Sequence, residues 1–208
     1  GNFLCDVRPF AEQLTSVVII GGEPTLNPDC LTILRQLQVL RTWNPSLLLA
    51  IYSNGNRRES KSVLSEVAAE ELAVIADGTS KQESVHDHSQ STIFVSPHDC
   101  GIVRDSLCDW HSWGGCGISA DSLGYTICPI GGMIDSVLEF GVRSHVLADM
   151  WDLNVAMKQT NVLCTHCGAY MNERLNGHES CRLWDTPVSR TWQEAFEKPR
   201  VRIASTNG

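Results

Sequence analysis

Two groups of residues in this chain have types and spacings suited to chemistry. The first is Gly21-Gly22-Glu23-Pro24, directly behind the apolar run Val17-Val18-Ile19-Ile20 and directly ahead of Asn27-Pro28-Asp29. Paired glycines let backbone N–H and C=O groups approach a ligand closely, and Glu23 sets one carboxylate at the mouth of the preceding strand. Ligands of open and barrel α/β sheets bind at the carboxyl ends of strands. The same residues also suit an ordinary strand–turn–helix connection, where glycine and proline are common. The second group is Cys164-Thr165-His166-Cys167-Gly168. Two thiolates three residues apart can grip one metal centre, and the glycine permits a tight turn. Cys128 is the third expected ligand, and Cys116 or Cys108 the fourth, with Cys116 favoured because it abuts Gly117. Cys100 and Cys181 are read as free buried thiols. His111 and His166 are read as hydrogen-bonding or solvent-facing side chains rather than ligands.

The elements that must position these groups read as repeated β/α units. Residues 16–20 form a short β-branched apolar run, as in a strand buried on both faces. Asn27 suits an N-cap and Pro28 the first helical position. Cys30, Ile33, Leu34, Leu37 and Leu40, with the stem of Arg41, then fall on one helical face, and Asn44-Pro45 ends the helix. Residues 47–52 make the next strand, ending in Ser53-Asn54-Gly55, which alone reads as an ordinary Asn-Gly turn. Residues 59–71 are expected to be helical, with Val63, Leu64 and Val67 facing inward. Residues 73–76 and 92–96 complete the set of strands, and 79–91 are a polar loop. Alternating strands and helices imply a parallel sheet with its polar residues at strand ends. Asp77 and Asp99 lie at that expected rim as weaker candidates. Near the end, residues 189–196 read as a short amphipathic helix whose Trp192 and Phe196 dock at i and i+4.

Composition narrows the classes. The 208 residues allow one large domain or two small ones, and 42% hydrophobic with 19% charged residues is a globular balance. A net charge of −8, with 16 basic residues in no block, argues against nucleic-acid binding. No run approaches the ~18 apolar residues of a membrane span, and no signal peptide opens the chain, so the expectation is a cytoplasmic protein without a membrane partner. Nine cysteines crowd toward the second half. In a reducing compartment that clustering points to metal rather than disulfides.

Gly-Gly-Glu-Pro behind a strand closely resembles the motif by which radical S-adenosylmethionine (radical SAM) enzymes hold the amino group of their cofactor. Ser53-Asn54-Gly55 resembles the turn that ends the next strand in that family, near the methionyl part of SAM. The resemblance implies a partial parallel (β/α) barrel over residues 1–100. It implies Gly21, Gly22, Glu23 and Pro24 as cofactor contacts, with Ser53 and Asn54 beside them. The later pattern is Cys116-Gly117, then Gly124-Tyr125-Thr126-Ile127-Cys128, then Gly131-Gly132-Met133-Ile134-Asp135, then Cys164-x₂-Cys167-Gly168. It resembles the auxiliary domains, twitch-like or SPASM-like, that follow some radical SAM cores and bind one extra [4Fe–4S] cluster. That implies a small cysteine-rich loop and helix domain over residues 101–208. Cys108 has the longer spacing to Gly124 that many such domains show, so it stays beside Cys116 as a candidate ligand. A Cys₄ zinc site needs the same ligands and is the alternative.

In the family, a catalytic cluster gives one electron to SAM, and the resulting 5′-deoxyadenosyl radical abstracts a substrate hydrogen. The family's Cys-x₃-Cys-x₂-Cys triplet is found nowhere in this sequence. The expectation is a fragment whose triplet lies upstream, with natural loss as the rival, and a chain that alone does not cleave SAM. An electron donor is the implied partner. The substrate is unspecified, and a peptide is compatible with the resemblance. The reading from a different class is a non-catalytic zinc- or iron–sulfur-binding interaction module on an α/β scaffold. A third holds that the cysteines are structural in a local sense only.

Overall fold

The computed structural model describes residues 3–21, 23–53, 55, 58–70, 73–76, 94–103, 117–168 and 188–198, with 59 and 73–76 described by backbone alone. The protein is mixed α/β and divides into two compact units, Gly1–Asp87 and His88–Gly208.

The first unit is built on three parallel strands, β1 (Ser16–Ile19), β2 (Leu48–Ser53) and β3 (Ala73–Ala76), in the order β1-β2-β3. Ser16 pairs with Leu48 and Ile19 with Ile51, while Ala50 pairs with Ala73 and Ser53 with Ala76. All the carboxyl ends therefore share one edge. Leu49, Ala50 and Ile51 are almost fully buried, as a near-continuous apolar run in a parallel sheet should be. Helix α1 (Phe3–Val7) opens the unit, α2 (Cys30–Leu37) and α3 (Leu40–Trp43) join β1 to β2, and α4 (Arg58–Ala69) joins β2 to β3. These crossovers are what parallel pairing requires. The expected single helix from Asn27 is instead a one-turn 3₁₀ segment, Pro24–Leu26, then α2 from Cys30. Asn27 Oδ1 accepts from the Asp29 N–H at 2.9 Å, closing a local turn in place of a helix cap. Cys30, Leu34, Leu37 and Leu40 are buried as expected, but Ile33 is exposed. A break at Gln38–Val39 separates α2 from α3, and Asn44 ends α3. Among the described residues the sheet has three strands and does not close into a barrel.

The second unit begins with residues 94–101. The strand expected over 92–96 falls partly outside the described residues, and Phe94–Ser96 is not strand. Its polar groups go elsewhere: Phe94 O accepts from the Ser189 N–H at 2.9 Å, and Ser96 N–H donates to Ser189 Oγ at 3.0 Å. Residues 94–99 thus belong to the second unit. A hairpin of β4 (Ser119–Asp121) and β5 (Gly124–Thr126) follows, and Tyr125 bridges onward to Ser144. Three helices, α5 (Pro129–Leu138), α6 (Leu153–Leu163) and α7 (Arg190–Glu197), surround a core of Ile134, Val142, Leu163, Cys167 and Trp192. Trp192 is fully buried, and its ring meets Phe94 edge-on at 5.2 Å and Phe196 at 5.8 Å, so the amphipathic tail helix docks as its pattern predicts. No helix among the described residues is long and apolar enough to cross a membrane.

Candidate functional site

Strand β1 ends at Ile19, and the chain turns through exposed Gly21 to place Glu23 over the carboxyl edge of the sheet. Glu23 caps the 3₁₀ turn that follows: its Oε1 accepts from the Thr25 N–H at 3.2 Å and from the Thr25 hydroxyl. The same oxygen accepts from Ser53 Oγ at 2.7 Å, and Ser53 stands at the end of β2. Ser53 in turn accepts from the Gly55 N–H at 3.1 Å, so its hydroxyl serves both its own turn and Glu23. Beneath Glu23, Thr25 Oγ1 lies 2.6 Å from Ser60 Oγ on α4. A hydroxyl carries a single hydrogen. With the Thr25 hydrogen given to Glu23, Ser60 is the donor to Thr25.

Thr25, Ser53 and Ser60 are buried, at 4%, 5% and 0% exposure, while Glu23 is half-buried. The carboxylate is thus held by a shell of hydroxyls at the sheet edge. Cys30 lies close enough to feel it. Burial pushes the Cys30 thiol up from its ordinary pKa, and the Glu23 charge pushes it further, so it stays a neutral thiol. Sequence reasoning missed Thr25 and Ser60. A signal existed for Ser60, which lies three, four and seven residues before Val63, Leu64 and Val67, on the inward stripe of α4. Of the other expected contacts, Pro24 opens the 3₁₀ turn, while Gly22, Asn54 and Asp77 lie outside the described residues.

In the second unit, Cys128, Cys164 and Cys167 carry buried thiols at 7–8% exposure. Cys128 caps α5, and its Sγ accepts from the Gly131 N–H at 3.1 Å. A helix N-terminus suits sulfur that carries negative charge, as a metal-bound thiolate does. A Cβ at Gly131 would sit 3.1 Å from Leu163 Cδ1 and 3.3 Å from Cys128 Sγ. The bare glycine thus leaves α5 in close contact with the end of α6, where Cys164 follows Leu163. Cys164 and Cys167 flank a single 3₁₀ turn, Cys164–His166, closed by a Cys167 N–H bond to Cys164 O at 3.3 Å. The expected convergence on one metal centre is not reached by these three alone: among the described residues no group of three or more His, Cys, Asp and Glu side chains could hold a metal ion. Cys108, Cys116 and Cys181 lie outside the described residues. Cys100, expected as a free thiol, is disulfide-bonded.

The frame around these cysteines is polar and tightly satisfied. Asp135, from the Gly-Gly-x-Ile-Asp segment, accepts from the Val142 N–H at 3.1 Å and pairs with Arg143 Nε at 3.0 Å, with both side chains 5% exposed. Arg143 also donates to Asp121, Gly132 O and Ser136. Gly124 has φ +134, and a Cβ there would run into the Ser144 carbonyl, which explains the glycine of the Gly-Tyr pair. Gln159, fully buried, donates from Nε2 to Tyr125 O and Val142 O, each at 3.1 Å, and accepts from the Ile127 N–H at 2.9 Å. His166 Nδ1 lies 2.7 Å from Ser96 Oγ, in keeping with a hydrogen-bonding rather than a ligating role. Burial lowers the His166 pKa, neighbouring His98 lowers it further, and Asp99 acts in the opposite direction. Asp99 accepts from the Thr191 N–H at 2.8 Å, Thr191 Oγ1 at 2.7 Å and Ser189 Oγ, so its carboxylate secures the start of α7.

Comparison with protein-family models, with curated proteins and with solved structures gave no match.

Proposed function

We propose that this chain is a radical SAM protein whose first unit holds the amino end of SAM and whose second unit holds an auxiliary [4Fe–4S] cluster. The observation that carries the reading is the meeting of Glu23 and Ser53 at the carboxyl ends of adjacent parallel strands. An ammonium group needs acceptors fixed in advance, and Glu23 offers a carboxylate whose Oε1 is already anchored. Exposed Gly21 leaves room for the ligand to approach the backbone beside it. The residues of the rim therefore fit the group. Gly21, Gly22, Glu23 and Pro24 would bind the amino end, with Ser53 and Asn54 alongside. The three parallel strands are the coarse form of the partial barrel that this reading calls for.

On one-electron reduction SAM supplies a radical that abstracts hydrogen from substrate. The chain's own part is to orient the cofactor and exclude side reactions. No Cys-x₃-Cys-x₂-Cys triplet exists in these residues, so on this reading the reducing cluster is held by residues other than those of this sequence. In the second unit Cys128, Cys164 and Cys167 supply three thiolates, with Cys116 or Cys108 as the fourth. The apolar core around Cys167, with Leu163, Ile134 and Trp192, suits a cluster kept from water.

The test is binding of SAM to the purified chain, with 5′-methylthioadenosine, which lacks the amino-acid group, as comparison. Tighter binding of SAM, lost in Glu23→Gln, is the expected result. Equal binding of the two ligands contradicts the reading.

A further inference from the structure

We infer that Thr25 and Ser60 are positioning residues that fix the Glu23 carboxylate for its ammonium ligand. This inference rests on the cofactor reading of Glu23 above. Glu23 is on an irregular turn after β1, where a long side chain has several rotamers to choose from. Ordering such a side chain on binding costs affinity. Here the choice is made beforehand. Thr25 reaches Glu23 Oε1 with both its N–H and its hydroxyl, and Ser53 reaches the same oxygen from β2.

With its one hydrogen given to Glu23, the buried Thr25 oxygen needs a donor of its own. Ser60, fully buried on α4, supplies that hydrogen bond at 2.6 Å. The line Ser60–Thr25–Glu23 thus ties a rigid helix to the carboxylate, while Ser53 ties it to the sheet. A buried polar chain of this kind is retained at a cost, since apolar residues of the same volume would fill the space without needing partners. Its members are spent on one carboxylate oxygen at the edge where ligands of parallel sheets bind.

The test uses the full chain and the ratio of its affinity for SAM to that for 5′-methylthioadenosine, measured by ligand-observed NMR. A loss of fold weakens both ligands alike and leaves the ratio unchanged, so the ratio isolates the amino-acid end. Thr25→Val keeps the shape and removes the hydroxyl, and should lower the ratio about three- to tenfold. Thr25→Ser should restore it. Ser60→Ala should lower it about two- to fivefold, and Ser60→Cys, which keeps more of the volume but donates weakly, should act in the same direction if the alanine variant fails to fold. Unchanged ratios in folded Thr25→Val and Ser60→Ala or Ser60→Cys overturn the inference. A wild-type ratio above one that Glu23→Gln abolishes would then leave the cofactor reading standing. A wild-type ratio of one overturns the cofactor reading and this inference together.

Discussion

Glu23 and Ser53, 30 residues apart in the chain, meet through a 2.7 Å hydrogen bond across the carboxyl ends of β1 and β2. Parallel pairing makes the meeting possible: the Ile19–Ile51 register ends both strands at one edge, and each following turn delivers one of the two side chains. The carboxylate is in place before a ligand arrives.

Glu23→Gln removes the charge and keeps the shape. Charge-assisted hydrogen bonds contribute about 1.5–3 kcal/mol, so affinity for SAM should fall at least tenfold while affinity for 5′-methylthioadenosine holds. Isothermal titration of both ligands checks this.

In the second unit, Asp135→Ala takes one of two carboxylates from the Arg143 guanidinium, which is 5% exposed and keeps Asp121, and leaves the Val142 N–H without its acceptor. Removing one partner of a buried pair costs about 3–5 kcal/mol, and the retained Asp121 contact sets the expected loss at the lower end of that range. Urea denaturation followed by circular dichroism should show that loss, with a smaller change for a substitution at the exposed Arg190–Glu194 pair.

The α5–α6 contact makes Gly131→Ala informative. The added methyl crowds Leu163 Cδ1 and Cys128 Sγ, which must give by a few tenths of an ångström; that strain of about 1–3 kcal/mol is set against the ~1 kcal/mol that alanine gains over glycine inside a helix, so a net loss of at most about 2 kcal/mol is expected. Thermal unfolding measures it, and reduced metal uptake should accompany it, because Cys128 Sγ is one of the two atoms crowded.

Asp99 gives the second unit a pH dependence of known sign. Burial raises its carboxyl pKa, and the hydrogen bonds from Ser189 and Thr191, aided by the His98 charge, outweigh this and leave it below the ordinary aspartate value. A depressed folded pKa means the unfolded chain takes up the proton first as pH falls. The contribution is fully present above the ordinary aspartate value and is lost as pH drops from there through the folded value. Asp99→Asn should flatten the acid limb of stability against pH below about 4, read by denaturant midpoints at several pH values.

Much of this arrangement was legible in the sequence, and the exceptions have physical causes. The three parallel strands announced themselves as short apolar runs ending in turn residues. Trp192 and Phe196 gave away α7 by their spacing. The Gly-Tyr and Gly-Gly-x-Ile-Asp segments resemble those of a cluster domain, and the structure gives their members packing duties: Gly124 against Ser144, Gly131 against Leu163, Asp135 against Arg143. Residues 94–96 have the composition of a strand, but tertiary hydrogen bonds to Ser189 claim that backbone. Local pattern cannot reveal a competitor more than 90 residues away. Ile33 failed for a simpler reason: the buried stripe of α2 follows Cys30, Leu34 and Leu37, and a residue three after Cys30 lands off its edge.

Iron distinguishes the two metal readings. Anaerobic reconstitution should give a brown protein with about four irons. Replacing Cys164 or Cys167 should abolish the colour and unfold much of the second unit, since metal binding and folding are coupled in small cysteine-rich domains. Stoichiometric zinc with no iron uptake favours the interaction-module reading instead.

The central claim is that the rim of β1 and β2 receives the amino end of SAM. Its most direct test is a titration of isotope-labelled chain with SAM, followed through backbone amide shifts. The account predicts saturable shifts at Gly21, Glu23, Thr25, Ser53 and Gly55, absent with 5′-methylthioadenosine and absent in Glu23→Gln. Saturable shifts confined to other residues, or none at any SAM concentration, would contradict it.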